Sequence, residues 1–193
     1  MSEAIKDGTG NGFLCAVSND NKLRTRAITE TETEHSTELG NSYNINTGEI
    51  SITADSAVLY FYNGEEQDIF IDAIAVGVTD GSASDIQKVK VIRNPTAGTI
   101  VSGAAVVAMN SNSNFGSAKS LSNSAAYKGA SGSTFTDGTD HALIYMTDNG
   151  RLYANLPTLV PKGSAIGIEI DVSLSSGAVT IYAALLCHER DIV

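Results

Sequence analysis

The chain has 193 residues, a formal net charge of −10, 18 glycines and no tryptophan. This length is about one domain, and the acidic excess argues against binding to nucleic acid, which depends on basic residues. Small polar residues are abundant, which favours strands and turns over helices. No apolar run approaches the ~20 residues of a membrane-spanning helix, so we expect neither a nucleic-acid nor a membrane partner.

Residues 1–40 differ in pattern from the rest, and we predict that they form an extended N-terminal arm. Residues 8–12 are glycine-rich and provide a hinge. Residues 29–34 alternate threonine with glutamate, so neither face is apolar and the segment cannot be an ordinary core strand. The arm therefore needs another surface to hold it. Its predicted partner-binding residues are Thr29, Glu30, Thr31, Glu32, Thr33 and Glu34.

Residues 41–193 carry a β pattern, and we predict an all-β domain built as an antiparallel, jelly-roll-like β-sandwich. The candidate strands are 43–53, 56–63, 67–79, 87–94, 98–109, 141–147, 151–156, 164–172 and 178–188. The clearest alternation places Ile166, Ile168 and Ile170 on one face and Glu169 on the other. Strands with one apolar and one polar face pack as two sheets around a shared core.

The longest irregular stretch is residues 110–140. Loops of this length are uncommon unless they are functional or disordered. This one carries apolar residues at Phe115, Leu121, Tyr127 and Phe135. We predict an ordered excursion that packs on the sandwich or on a neighbouring chain. Because the segment has little net charge beside an acidic body, it suits a contact surface. Phe115 and Tyr127 therefore join the predicted partner-binding residues.

Cysteine and histidine positions indicate neither a redox pair nor a zinc site. Cys15 and Cys187 lie at opposite ends of the chain. We predict that both thiols are free, as in a reducing cytoplasm. His35, His141 and His188 are too far apart in sequence for the short ligand spacings of zinc motifs. Strand alternation also places Cys187 and His188 on opposite faces, so they should not interact.

Carboxylate pairs are the remaining catalytic possibility, because glycosidases use two of them. Glu65 and Glu66 fall in a predicted hairpin loop and are expected to be solvated. Glu169 and Asp171 share the polar face of a strand and are expected to keep that face soluble. Residues 137–141 offer oxygens for a hard cation, but fewer than a calcium loop uses, so we predict a plain turn. We therefore expect no enzyme activity, no cofactor and no metal.

Short segments in a fixed order along the chain suggest a family. They are residues 5–10, 46–52, 57–63, 68–74, 94–100, 114–117, 126–129, 159–164 and 179–188. In that order they resemble virion structural proteins of tailed bacteriophages, over about residues 40–190. The resemblance implies a β-sandwich on the particle surface, similar to capsid decoration (cement) proteins, and implies no catalytic residues.

The leading hypothesis is a non-enzymatic virion protein that stabilises the head by bridging subunits of the major capsid protein. It would be made in the host cytoplasm and would lie on the capsid surface as a homotrimer. One alternative is a head-fibre, tail-associated or receptor-binding protein of the same virion. An alternative of another class is a carbohydrate-binding module or glycosidase, which would need carboxylates clustered with aromatic side chains.

Overall fold

The computed structural model describes residues 31–81, 87–112, 119–146, 150–172 and 177–190. The strands are β1 (Ser42–Asn46), β2 (Ile50–Ile52), β3 (Ser56–Tyr62), β4 (Ile69–Gly81), β5 (Gln87–Arg93), β6 (Ala104–Ala105), β7 (Ala108–Asn110), β8 (Ala125–Lys128), β9 (Thr139–Met146), β10 (Arg151–Ala154), β11 (Thr158–Val160), β12 (Ala165–Asp171) and β13 (Val179–Glu189). The helices are α1 (Glu32–Glu38) and a 3₁₀ turn (Thr99–Ser102). Neither is long and apolar enough to cross a membrane.

The strands form two antiparallel sheets. The first has the order β10-β4-β13-β1-β7, with β11 also beside β4 and β2 also beside β13. The second has the order β6-β8-β3-β12-β5-β9. The apolar faces of both sheets contribute to one core, in which the largest fully buried side chains include Tyr43, Phe61 and Ile74. The predicted all-β sandwich is therefore confirmed.

The predicted alternation of β12 is present in the structure. Ile166, Ile168 and Ile170 are each at most 1% exposed and belong to the core. Glu169 and Asp171 lie on the other face and are partly exposed. Burial of one face removes apolar area from water at about 25 cal/mol per Å², which fixes the register of the strand because a slip of one residue would turn its isoleucines outward.

Two predicted strands are interrupted. The segment 43–53 divides into β1 and β2 because the Asn46 side chain accepts a hydrogen bond from the Gly48 amide, and Gly48 has a φ of 64°. The segment 98–109 contains a 3₁₀ turn and two short strands instead of one long strand. Gly98, at its start, has a φ of 133°, a conformation that other residues rarely adopt.

Part of the 110–140 excursion packs on the chain's own sandwich. Within it, β8 pairs with β3, and Tyr127 stacks on Tyr60 with ring centroids 6.0 Å apart. Phe135 lies 6.3 Å from the same Tyr60 ring. It also covers Gly167 so closely that a Cβ there would lie 2.3 Å from the Phe135 ring. The outer face of the second sheet therefore has a small apolar cluster of its own.

The extended-arm prediction is wrong for residues 32–38, which form α1. Acidic residues occupy its first turn, where they favour the helix dipole. Gly40, with a φ of 74°, follows the helix, and the amide of Asn41 donates to the Ser36 carbonyl. This is the pattern of a glycine-terminated helix. The chain divides into Met1–Thr31 and Glu32–Val193, and the second unit contains α1 and the sandwich. Residues 1–30 lie outside the described ranges.

Candidate functional site

Helix α1 is held on the outer face of the first sheet by a buried histidine. His188 on β13 is 1% exposed, and its Nδ1 lies 2.9 Å from Asp72 Oδ2 on β4. The hydroxyl of Thr33 donates to Asp72 Oδ1 at 2.9 Å, and Glu32 Oε1 lies 3.7 Å from His188 Nε2. Two residues of α1 thus contact the pair, which ties the N-terminal helix to the sheet.

The protonation of His188 is coupled to this arrangement. Burial by itself lowers the pKa of His188, because it disfavours the charged ring. The hydrogen bond and charge of Asp72, together with the charge of Glu32, outweigh burial and raise the pKa above its usual value. Cys187 faces the opposite way, into the core, as predicted. It is a free thiol whose pKa is raised by burial, and Cys15 lies outside the described residues.

Glu65 corrects a prediction. It is only 8% exposed, and its carboxylate accepts hydrogen bonds from the amides of Asn123 and Ser124 at 2.8 and 3.1 Å. It also accepts from the Asn123 side-chain amide and the Ser124 hydroxyl. A solvated loop carboxylate was the wrong expectation, because Glu65 ties the 119–124 segment to the end of β3. Glu66 is exposed, as predicted, and pairs with Lys162.

Glu169 and Asp171 share one cation. Lys90 on β5 lies 3.0 Å from a carboxylate oxygen of each. Burial alone lowers the pKa of Lys90, but hydrogen bonds to both carboxylates reverse this and raise it. The ammonium therefore stays charged at neutral pH. One lysine between two carboxylates reduces the negative charge of this sheet face, and both carboxylates are engaged with that cation.

Asp137 and His141, within the segment 137–141, have separate structural roles. The Asp137 carboxylate accepts hydrogen bonds from the Thr96 hydroxyl and from the amides of Ala97 and Thr96, which lowers its pKa and fixes the turn after β5. His141 instead approaches the hydroxyl of Thr158 on β11, 3.1 Å away. Across the described ranges, no group of three or more histidine, cysteine or acidic side chains is placed to hold a metal ion.

The predicted partner-binding residues that the structure describes lie on two different sheets. Glu32 and Thr33 lie in α1 on the first sheet, whereas Tyr127 lies in β8 on the second sheet. Glu34 is also in α1, and Thr31 precedes it. Thr29, Glu30 and Phe115 fall outside the described residues.

A different set of exposed apolar residues lies at the sheet edges. Strand β9 is the last strand of the second sheet and β10 the last of the first. Leu143 and Tyr145 on β9 are 49% and 59% exposed, and Tyr153 on β10 is 64% exposed. Strands β6 and β7 lie at the other ends of the sheets. Val107, between these two strands, is 73% exposed, and Met109, in β7, is 62% exposed. Alternation in the sequence marks these residues as outward-facing, but only strand order shows that they lie at edges.

No protein-family model matches the chain, and a search of curated proteins finds no match. Function therefore has to be inferred from these surfaces and their chemistry.

Proposed function

We propose that the chain is a non-enzymatic structural protein of a tailed-bacteriophage virion, most simply a capsid decoration protein. In this role it self-associates as a homotrimer on the capsid surface and bridges subunits of the major capsid protein. The observation that carries the proposal is the exposed apolar edge formed by β9 and β10. Such a protein stabilises the shell by mass action, because a ligand that binds only the assembled state favours that state.

The β9–β10 edge has the chemistry of a protein contact. Edge strands present unpaired backbone groups, and monomeric proteins normally protect them with charges, prolines or covering loops. Here Leu143, Tyr145 and Tyr153 project from the edge strands and are about half exposed or more. Aromatic residues of this kind are enriched in protein interfaces. Contact with another protein would cover these side chains and satisfy the strand edges.

The second apolar edge supports self-association in a ring. Val107 and Met109 lie near β6 and β7, at the far ends of both sheets from β9 and β10. A contact that joins two different surfaces of the same molecule is head-to-tail, and it closes into a ring when the rotation permits. A trimer is the smallest such ring beyond a dimer, and it would cover both edges of every protomer.

The strand order also supports this class of protein. The strands β1-β13-β4-β10 form four neighbours in one sheet, and β3-β12-β5-β9 form four in the other. When these eight strands are followed in chain order, each lies in the opposite sheet from the strand before it, except that β5 and β9 share a sheet. We infer that this order is a jelly roll, an architecture common in viral capsid and lectin domains. Fold by itself does not determine function, so the order adds to the edge observation without replacing it.

The site chemistry favours this proposal over a glycosidase. Among the described carboxylates, Glu65 is saturated with hydrogen bonds and Glu169 and Asp171 are bridged by Lys90. The most exposed tyrosines, Tyr145 and Tyr153, lie on edge strands, and Lys88 stands between Tyr145 and Asp171 in the strand pairing. A fibre or receptor-binding protein of the same virion would use the same edges to assemble and is the second candidate.

Charged substitutions at the edge test the proposal. We expect the full chain to sediment as a trimer of about 60 kDa, three times the 20.1 kDa chain. Tyr145→Lys combined with Tyr153→Lys should convert it to a monomer and weaken binding to the virus particle by about 100-fold, because lysine at the centre of an apolar contact is left desolvated. Analytical ultracentrifugation and co-sedimentation with particles measure the two effects.

Tyr62→Lys is the matched control for the edge variants. Tyr62 is an exposed tyrosine, but its strand β3 is paired on both sides, with β12 and β8. This variant should remain trimeric and bind particles normally. A wild-type chain that sediments as a monomer at all concentrations, or edge variants that bind particles like the wild type, would contradict the proposal.

Truncation tests the arm separately. A chain without residues 1–31 keeps α1 and its contacts with Asp72 and His188, so its Tm should change by less than ~3 °C, or about 1 kcal/mol. Its binding to particles should nevertheless weaken, because we propose that residues 1–31 reach along the shell and contact capsid subunits. Thermal unfolding and co-sedimentation give the two readouts. Unchanged particle binding by the truncated chain would show that the arm has no such role.

A further inference from the structure

A cavity of about 280 Å³ opens at one end of the sandwich, between the two sheets. Its walls come from β11 of the first sheet and from β5, β9 and β12 of the second. Buried apolar side chains of Val160 and Ile166, each at most 2% exposed, line its inner part. Since a water molecule occupies about 30 Å³ of liquid, the cavity has room for a ligand of roughly monosaccharide size.

A β-bulge places a histidine at this cavity. Val91 on β5 pairs with Ala142 of β9, but the next residue, Ile92, pairs with Asp140. His141 is therefore an extra residue in β9, and bulges of this kind redirect a side chain. The His141 ring reaches the hydroxyl of Thr158 on the opposite sheet at 3.1 Å and lines the cavity. The ring thus spans the gap between the sheets.

The cavity mouth is rich in hydrogen-bond donors that have no partner among the described residues. Arg93, the last residue of β5, lines the cavity and is exposed, and no described carboxylate lies within ion-pair distance of it. Asn94 has a φ of 50°, and its Oδ1 accepts from the Ala165 amide, which leaves its Nδ2 to donate elsewhere. The Ser164 hydroxyl also lines the cavity.

These groups favour an anionic ligand rich in acceptors. A guanidinium binds a carboxylate through two parallel hydrogen bonds, and such charge-assisted bonds are stronger than neutral ones. The Asn94 amide and Ser164 hydroxyl are suited to hydroxyl groups beside the carboxylate, and the apolar wall of the cavity is suited to the carbon face of a ring.

We propose that this cavity binds a sugar acid, a monosaccharide unit that carries a carboxylate. Arg93 binds the carboxylate, Asn94 and Ser164 bind ring hydroxyls, and His141 closes one side of the site. The proposal goes beyond the structural role proposed above, since it assigns a small-molecule site away from the Tyr145 and Tyr153 side chains. Loss of one function would leave the other intact.

The test is titration of the full chain with D-glucuronate, followed by calorimetry and by amide chemical shifts. We expect a Kd on the order of 1 mM or tighter, with shifts concentrated at Arg93, His141 and Ser164. Glucose, which lacks the carboxylate, and acetate, which lacks the ring, should each bind at least about tenfold more weakly. Equal binding of glucose or acetate would overturn the assignment to a sugar acid. Tighter binding of a glutamate residue capped by N-acetyl and amide groups would also overturn it, because it would point to an acidic peptide.

Variants identify the residues. Arg93→Gln should weaken glucuronate binding by at least about tenfold, because it removes the charge and the paired hydrogen bonds. Arg190→Gln, which removes the same charge from an exposed position after β13, should change binding less than about twofold. Equal losses in both variants would indicate a general charge effect and overturn the site. If glucuronate causes no amide chemical-shift change in wild-type protein that sedimentation shows to be folded, the proposed site is also overturned.

Discussion

Replacing Glu65 with alanine should lower the free energy of unfolding by about 2 kcal/mol, because four partly buried hydrogen bonds to a charged acceptor are lost. The carboxylate is 8% exposed and accepts four hydrogen bonds from Asn123 and Ser124. Water can reach part of the vacated position, because Glu65 also lines a cavity with Lys119 and Asn123, so the loss falls short of the full cost of buried unpaired donors. Urea-induced unfolding measures the change, and the slope of the transition should stay constant if the folded state remains compact.

Glu66 provides the matched control for Glu65, one residue further along the chain. It is exposed, and its carboxylate forms an ion pair with Lys162. Surface pairs of this kind contribute little, so Glu66→Ala should change the free energy of unfolding by less than about 0.5 kcal/mol. Hydrogen exchange at residues 119–124 should accelerate in Glu65→Ala alone. Similar effects of both substitutions would show that Glu65 is not the residue that holds this segment.

Stability should depend on pH through His188 and Asp72. The folded-state pKa of His188 is raised, so the protonated ring stabilises the fold below its unfolded-state pKa of about 6.5. This stabilisation is lost as the pH rises through the higher folded-state value. Asp72→Asn should therefore lower the free energy of unfolding by about 1–2 kcal/mol near pH 6 and by much less near ~pH 9. Denaturant unfolding across this range measures the difference.

The helix supplies a local readout of the same interaction. Because Glu32 and Thr33 of α1 contact the His188–Asp72 pair, amide exchange in α1 should increase with pH beyond the ordinary base-catalysed rate. The matched control is Asp140→Asn, an exposed aspartate on β9 in the other sheet, which should leave the pH profile unchanged. A penalty for Asp72→Asn that is the same at both pH values, or that grows with pH, would contradict the coupling.

Local patterns in the sequence determined the fold class. The isoleucines of β12 recur at every second position, and a period of two matches only a strand with one buried face. The turn residues between apolar segments placed most strand ends within a few residues, because glycine and asparagine reach conformations that other residues avoid. The glycine at position 40 also marks the end of α1, but the alternation of threonine and glutamate before it favoured an extended chain.

Only the tertiary structure decided which residues form surfaces and sites. Glu65 accepts hydrogen bonds from Asn123, 58 residues away, and Thr33 of α1 donates to Asp72, 39 residues away. Neither partner can be identified from local sequence, because helix and loop positions take much of their stability from contacts distant in the chain. Likewise, alternation shows that Tyr145 points outward, but strand order places it at a sheet edge. A bulge in strand pairing turns His141 toward β11.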